Sequence, residues 1–204
     1  MFKNILLPTD GSKLSEKAVQ RGIELATSLG DSSARATMLG NLALVYLLWD
    51  EPSLAFEAAA AAIGMYRRMA GDPHLPWVLG LAAVASATAG TTQAATELLA
   101  ECVDRALEVK APVITADALE SAIPVVGSLH RPGLAARLHG AAIAALGGDA
   151  LDKSWIAITK PALDSARAAL GSEAVDAETA QGQRSEPLDV LADLKATLAG
   201  LHRE

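Results

Sequence analysis

The side chains able to do chemistry are few and poorly grouped. His74, His130, His139 and His202 are scattered. His130 and His139, with Pro132-Gly133 between them, miss the i, i+4 spacing that lets two imidazoles on one helix face share a metal. Cys102 is the only cysteine, so it can form neither an internal disulfide nor a thiolate ligand set; it reads as a small buried apolar residue. Glu97, Glu101, Asp104 and Glu108 recur at helical spacing beside Arg105 and Lys110, the pattern of a solvated helix face with local ion pairs. No Gly-x-Ser-x-Gly elbow presents a serine nucleophile, and neither a P-loop nor a helix-turn-helix reader module is found. The expectation is a protein that is not an enzyme and holds no cofactor and no metal. What remains are large aromatic side chains in an Ala-rich chain. Tyr46, Trp49, Tyr66 and Trp77 are candidates to line a groove for a protein or peptide partner, with packing between helices, shared by Trp155, as their competing use.

Hydrophobic residues make up 51% of the 204, ample for a sizeable core, but aromatics only 3%, so that core must be built from Ala, Leu and Val in closely approaching helices. A formal charge of -7 repels a phosphate backbone, and Arg67-Arg68 is the only adjacent basic pair, so no nucleic-acid partner is expected. Lys3 precedes only Ile5-Leu6-Leu7 before Pro8, which is short for a signal core. The apolar stretches Ala58 to Met65 and Val78 to Ala87 fall below the roughly 20 residues of a spanning helix. No membrane association and a cytoplasmic, reducing setting are expected.

Two kinds of element must position these residues. Phe2-Lys3-Asn4-Ile5-Leu6-Leu7 is an apolar run of strand length halted by Pro8. Thr9-Asp10-Gly11-Ser12 then forms a turn, and Leu14, Ala18, Gly22, Leu25 and Leu29 follow as the apolar stripe of a helix ending at Gly30. This opening, residues 1–30, resembles the start of the universal stress protein family, whose first strand ends in an Asp-Gly-Ser turn. The resemblance implies a nucleoside held by Asp10, with Gly11 and Ser12 beside it, and makes an ATP binder the alternative function. The family's glycine-rich phosphate loop has no counterpart, since Gly127 to Gly140 gives neither its spacing nor its closing hydroxyl.

From Asp31 onward a 40-residue register takes over. Ala55, Ala95 and Ala135 share one position, and Ala62, Cys102 and Ala142 share another two turns later, so one helix face is small in every copy. An apolar helix precedes each pair, over Met38 to Leu48, Val78 to Ala89 and Ala118 to Val126. A break then follows at Asp50-Glu51-Pro52, Gly90-Thr91-Thr92 and His130-Arg131-Pro132-Gly133. Stacked helical hairpins over 31–146 are predicted, an all-α solenoid with one short N-terminal β-strand. Leu42, Ala43, Tyr46, Ala55 and Ala62 resemble the signature of a tetratricopeptide repeat, with the later copies degenerate. Residues 147–204 are expected to hold C-terminal capping helices: a polar loop around 172–187, then a helix whose Leu188, Leu191, Leu194 and Leu198 cap the array.

Arg137 to Ala142, Ala166 to Ala174 and Glu186 to Leu191 resemble the C-terminal helical region of bacterial multidomain signalling regulators, which accompany a signal-transduction ATPase with a cyclase or DNA-binding module. That resemblance spans 31–204 and implies an interaction or regulatory role. The abrupt change near Gly30 is consistent with a natural or engineered fusion. Run backwards, the register places Ser15 and Gly22 at its two small positions, so the first helix fits the array. The lone segment Phe2 to Leu7 is then expected to pair with the same segment of a second molecule, giving a homo-oligomer, or to lie across the helices.

Overall fold

The computed structural model describes residues 12–69, 71–147 and 153–201. The expected strand Phe2-Leu7 lies outside them, as do Asp10 and Gly11, and every regular element among the described residues is a helix. In order these are α1 (Lys13–Ser28), α2 (Ser32–Leu48), α3 (Pro52–Arg68), α4 (Leu75–Thr88), α5 (Thr92–Val109), α6 (Pro112–Ser128), α7 (Pro132–Ala145), α8 (Lys153–Leu170), α9 (Ser172–Arg184) and α10 (Pro187–Leu201).

One local device makes the hairpins. The chain reverses on a single left-handed residue at Asp50 (φ 58°), Gly90 (φ 77°) and His130 (φ 55°). The next amide then reaches back over the helix end, Glu51 to the Tyr46 carbonyl at 2.9 Å, Thr91 to Ser86 at 2.9 Å and Arg131 to Val126 at 3.1 Å. This closure satisfies carbonyls that a helix terminus leaves unpaired. Gly30 ends α1 in the same way, with Asp31 N–H donating to the Ala26 carbonyl at 2.9 Å. Proline at the first position of α3, α6 and α7 starts the following helix, where its missing N–H costs nothing.

Hairpins stack because their small positions are buried. Ser15, Ala55, Ala95 and Ala135 are inaccessible at one register position, and Gly22, Ala62, Cys102 and Ala142 are buried at the other. α4 and α6 form the centre. Val78 to Ser86 is buried without a break, and a helix apolar on every side requires neighbours on every side: α4 touches α2, α3, α5 and α6.

Three expectations are corrected. The polar stretch 172–187 is not a loop; Ser172–Arg184 is α9. Carried forward, the 40-residue register reaches Val175 and Gly182, both buried, but α9 packs on α7 rather than forming a hairpin with α8 as α3, α5 and α7 do with the helices before them. Gly182 breaks nothing, because it is a contact point. A Cβ there would collide with the Arg137 carbonyl oxygen, and one on Gly140 with the Thr179 carbonyl oxygen, so α7 and α9 meet backbone to backbone. Arg137 fastens the seam, donating from Nε and Nη2 to Glu178 Oε2 at 2.9 and 2.8 Å.

Second, α10 does not cap the end of the array. It buries Val190, Leu191, Leu194 and Leu198 and lies back across α5, α6 and α7, with Lys195 Nζ 2.7 Å from Asp104 Oδ1 of α5. Third, the stripe Leu14, Ala18, Gly22, Leu25 and Leu29 is not the buried face of α1. Ser15, Val19, Gly22 and Ala26 face α2, leaving Leu14 74%, Leu25 40% and Leu29 72% exposed. No helix among the described residues is long and apolar enough to cross a membrane.

Candidate peptide-binding cleft

The even-numbered helices α2, α4 and α6 lie side by side, so residues 40 apart on them form rows. Thr37, Trp77 and Asp117 are one such row, and they meet in a cleft of about 440 Å³ at the N-terminal ends of the three helices. Gly40 makes this possible. A Cβ on Gly40 would strike the Trp77 ring, so the indole lies directly over the α2 backbone. Pro73 and His74, from the turn before α4, and Val113 and Ile114, from the first turn of α6, complete the lining. Val113 is 60% exposed, an apolar side chain held open to solvent beside an indole.

Behind this lining the polar groups are anchored. His74 stacks on Tyr66, with ring centroids 6.0 Å apart and planes 21° from parallel, and its Nδ1 lies 2.9 Å from Asp72 Oδ1. The Tyr66 hydroxyl is 2.9 Å from Thr37 Oγ1. Burial pushes the Tyr66 phenol up, with the hydrogen bond shared with Thr37 opposing and the Asp72 charge adding, so it stays protonated near neutral pH. Tyr66 itself is 1% exposed. Of the four groove candidates, then, Trp77 lines the cleft and Tyr66 supports it from behind.

Tyr46 and Trp49 are elsewhere. Their rings meet edge to face at 6.1 Å near the C-terminal end of α2, and the Tyr46 hydroxyl donates to Glu16 Oε1 of α1 at 3.4 Å. Partial burial, then the Glu16 charge, raises the Tyr46 phenol. Tyr46 thereby joins α2 to α1. A second hollow, about 490 Å³, lies between the C-terminal ends of α2, α4 and α6 and helix α8. Leu47, Val84 and Pro124 border it on one side and Ala162 on the other, and Gly127 admits Ala162 so closely that a Cβ would lie 2.9 Å from it. α8 therefore covers that half of the face, leaving the Trp77 end open.

The remaining candidates take structural positions. Ser12 is the N-cap of α1, its side chain accepting from Ser15 N–H at 3.1 Å; Asp10 and Gly11 lie outside the described residues, as does His202. The acidic row on α5 ties helices together at two points, Glu101 accepting from Arg67 of α3 at 2.5 Å and Asp104 pairing with Lys195 of α10, while Glu108 accepts from Arg105 of the same helix at 2.9 Å. His130 is a turn hinge, and His139 lies largely buried on α7. Among the described residues no group of three His, Cys, Asp or Glu could hold a metal ion. Sequence reasoning missed Thr37, His74, Val113 and Asp117. The available signal was the register itself, which carries Trp77 to Thr37 and Asp117.

Comparisons with protein-family models, with curated proteins and with solved structures give no match to this chain.

Proposed function

We propose that this chain is a non-enzymatic helical-repeat module that binds a segment of a partner protein in the Trp77 cleft, in an interaction or regulatory role of the kind the signalling-regulator resemblance implies. The observation behind it is the row Thr37, Trp77 and Asp117, three register-equivalent side chains converging from three helices on one opening. Its chemistry defines the ligand. Trp77, Ile114 and exposed Val113 take an apolar side chain, and Asp117 and Thr37 suit a basic or amide-bearing neighbour on the same segment. Recognition needs no covalent step.

A displayed peptide library selected on the full chain tests this, with affinities of the enriched peptides measured by calorimetry. Trp77→Ala is expected to weaken them at least about tenfold, roughly 1.4 kcal/mol, as for an aromatic anchor. Asp117→Asn should weaken basic peptides selectively. Enriched peptides that bind Trp77→Ala as tightly as the parent chain would sink the proposal. Of the residues for the alternative, a nucleotide binder, Ser12 caps α1, and Asp10 and Gly11 lie outside the described residues.

A further inference from the structure

The open face of α1 has an internal equivalent that is covered in part. In α3, Ala58 and Met65 stand 40 residues after Ala18 and Leu25 and are 7% and 9% exposed because α3 lies between α2 and α4, while Leu54, the equivalent of Leu14, stays 42% exposed. Among the described helices α1 packs on α2, which covers only half of the apolar arc of its surface. Leu14, Ala18, Leu25 and Leu29 make up the other half, contiguous with the buried face in the projection of the helix.

The spacing of these four residues says what fits on them. Leu14 and Leu29, and Ala18 and Leu25, are symmetric about the point between Arg21 and Gly22. A two-fold axis through that point would lay a second α1 antiparallel on the first, Leu14 against Leu29 of the second copy and Ala18 against its Leu25. The charges along the solvent edge obey the same symmetry. Lys17 and Arg21 lie before the midpoint and Glu24 after it, so in the antiparallel pair each copy's cations come beside the other's Glu24. Within one chain Arg21 already pairs with Glu24 at 2.5 Å while both stay largely exposed, 83% and 63%, which leaves them free to extend the pairing. We propose that this stripe is a self-association surface occupied by α1 of a second copy in antiparallel packing.

A single helix pair buries less than the roughly 1,000 Å² of a stable interface, so the dimer is weak and belongs in the range from about 1 µM to about 1 mM. Sedimentation of the full chain across that range is expected to show a mass rising toward twice the 21.0 kDa of one chain. Leu25→Glu should hold the mass at one chain while leaving the helical circular dichroism unchanged, because Leu25 lies off the buried face of Ser15, Val19, Gly22 and Ala26. A charge pair makes the test independent of that substitution. Glu24→Lys alone, and Lys17→Glu with Arg21→Glu alone, should each stay monomeric, and an equimolar mixture of the two should dimerise. A parent chain monomeric throughout overturns the proposal, as does a dimer that survives Leu25→Glu or a mixture that fails to associate.

Discussion

Gly182→Ala is expected to destabilise the protein although alanine is the better helix former. In a helix interior the exchange favours folding by about 1 kcal/mol. Here the new methyl would meet the Arg137 carbonyl oxygen, and a carbonyl fixed in α7 cannot turn aside as a side chain can. α9 must then lift off α7. That move gives up the burial of Val175, now 1% exposed, worth about 1.5–3 kcal/mol. It also gives up the Arg137–Glu178 pair, whose partners are 37% and 29% exposed, worth at most about 1 kcal/mol. After the propensity gain the net loss is about 0.5–3 kcal/mol, in line with overpacking elsewhere. The control is Gly64→Ala in α3, where the nearest atom to a new Cβ is Arg68 Nη1 at 3.8 Å; it should gain about 0.5–1 kcal/mol. Thermal unfolding followed by circular dichroism reads both, at about 2–4 °C per kcal/mol for a chain of this size. If Gly182→Ala melts above the parent, as Gly64→Ala should, the backbone-to-backbone seam is refuted.

His130→Gly should raise stability by about 1 kcal/mol in urea denaturation, since φ of 55° strains any side chain and the equivalent Gly90 has none. Burial, with Arg167 nearby, holds His139 below its ordinary 6.5, and its Nδ1 has no hydrogen-bond partner among the described residues. The unfolded chain therefore takes up this proton first, and stability falls as pH drops from about 6.5 toward the depressed folded value; melting curves between pH 8 and 5 should lose that slope in His139→Gln. Burial raises the Cys102 thiol far above its ordinary value, so an aqueous disulfide reagent should label the chain only after denaturant is added. Cys102→Ala, restoring the residue found at Ala62 and Ala142, should cost no more than about 1 kcal/mol.

The hairpin array was legible in the sequence because its cause is local and periodic. Small residues at Ala55, Ala95 and Ala135 and at Ala62, Cys102 and Ala142 mark a face that only a closely approaching helix can use, and each pair recurs with its turn. α9 was hidden by composition. Its exposed faces are polar, and Gly182 reads as a breaker although it is the point of closest approach to α7. The buried side of α1 was misjudged because its apolar arc is wider than the single neighbour it has; periodicity finds an arc but does not say which half is covered. The course of α10 across α5, α6 and α7 depends on contacts far apart in sequence, which no period records. Likewise, the cleft depends on Gly40 admitting an indole, a fact about distance rather than pattern.

The course of α10 also sets how the molecule bears load. In an open stack of hairpins, tension at one end peels the last helix away and the rest follow singly, each at a small force. Here a pull applied at the end of α10 is delivered to the middle of the stack, through Leu191, Leu194 and Leu198 and the Lys195–Asp104 pair. α9, fastened along α7, lies outside that line of force. α10 is thus expected to act as a buckle, with α5, α6 and α7 resisting together until it comes free.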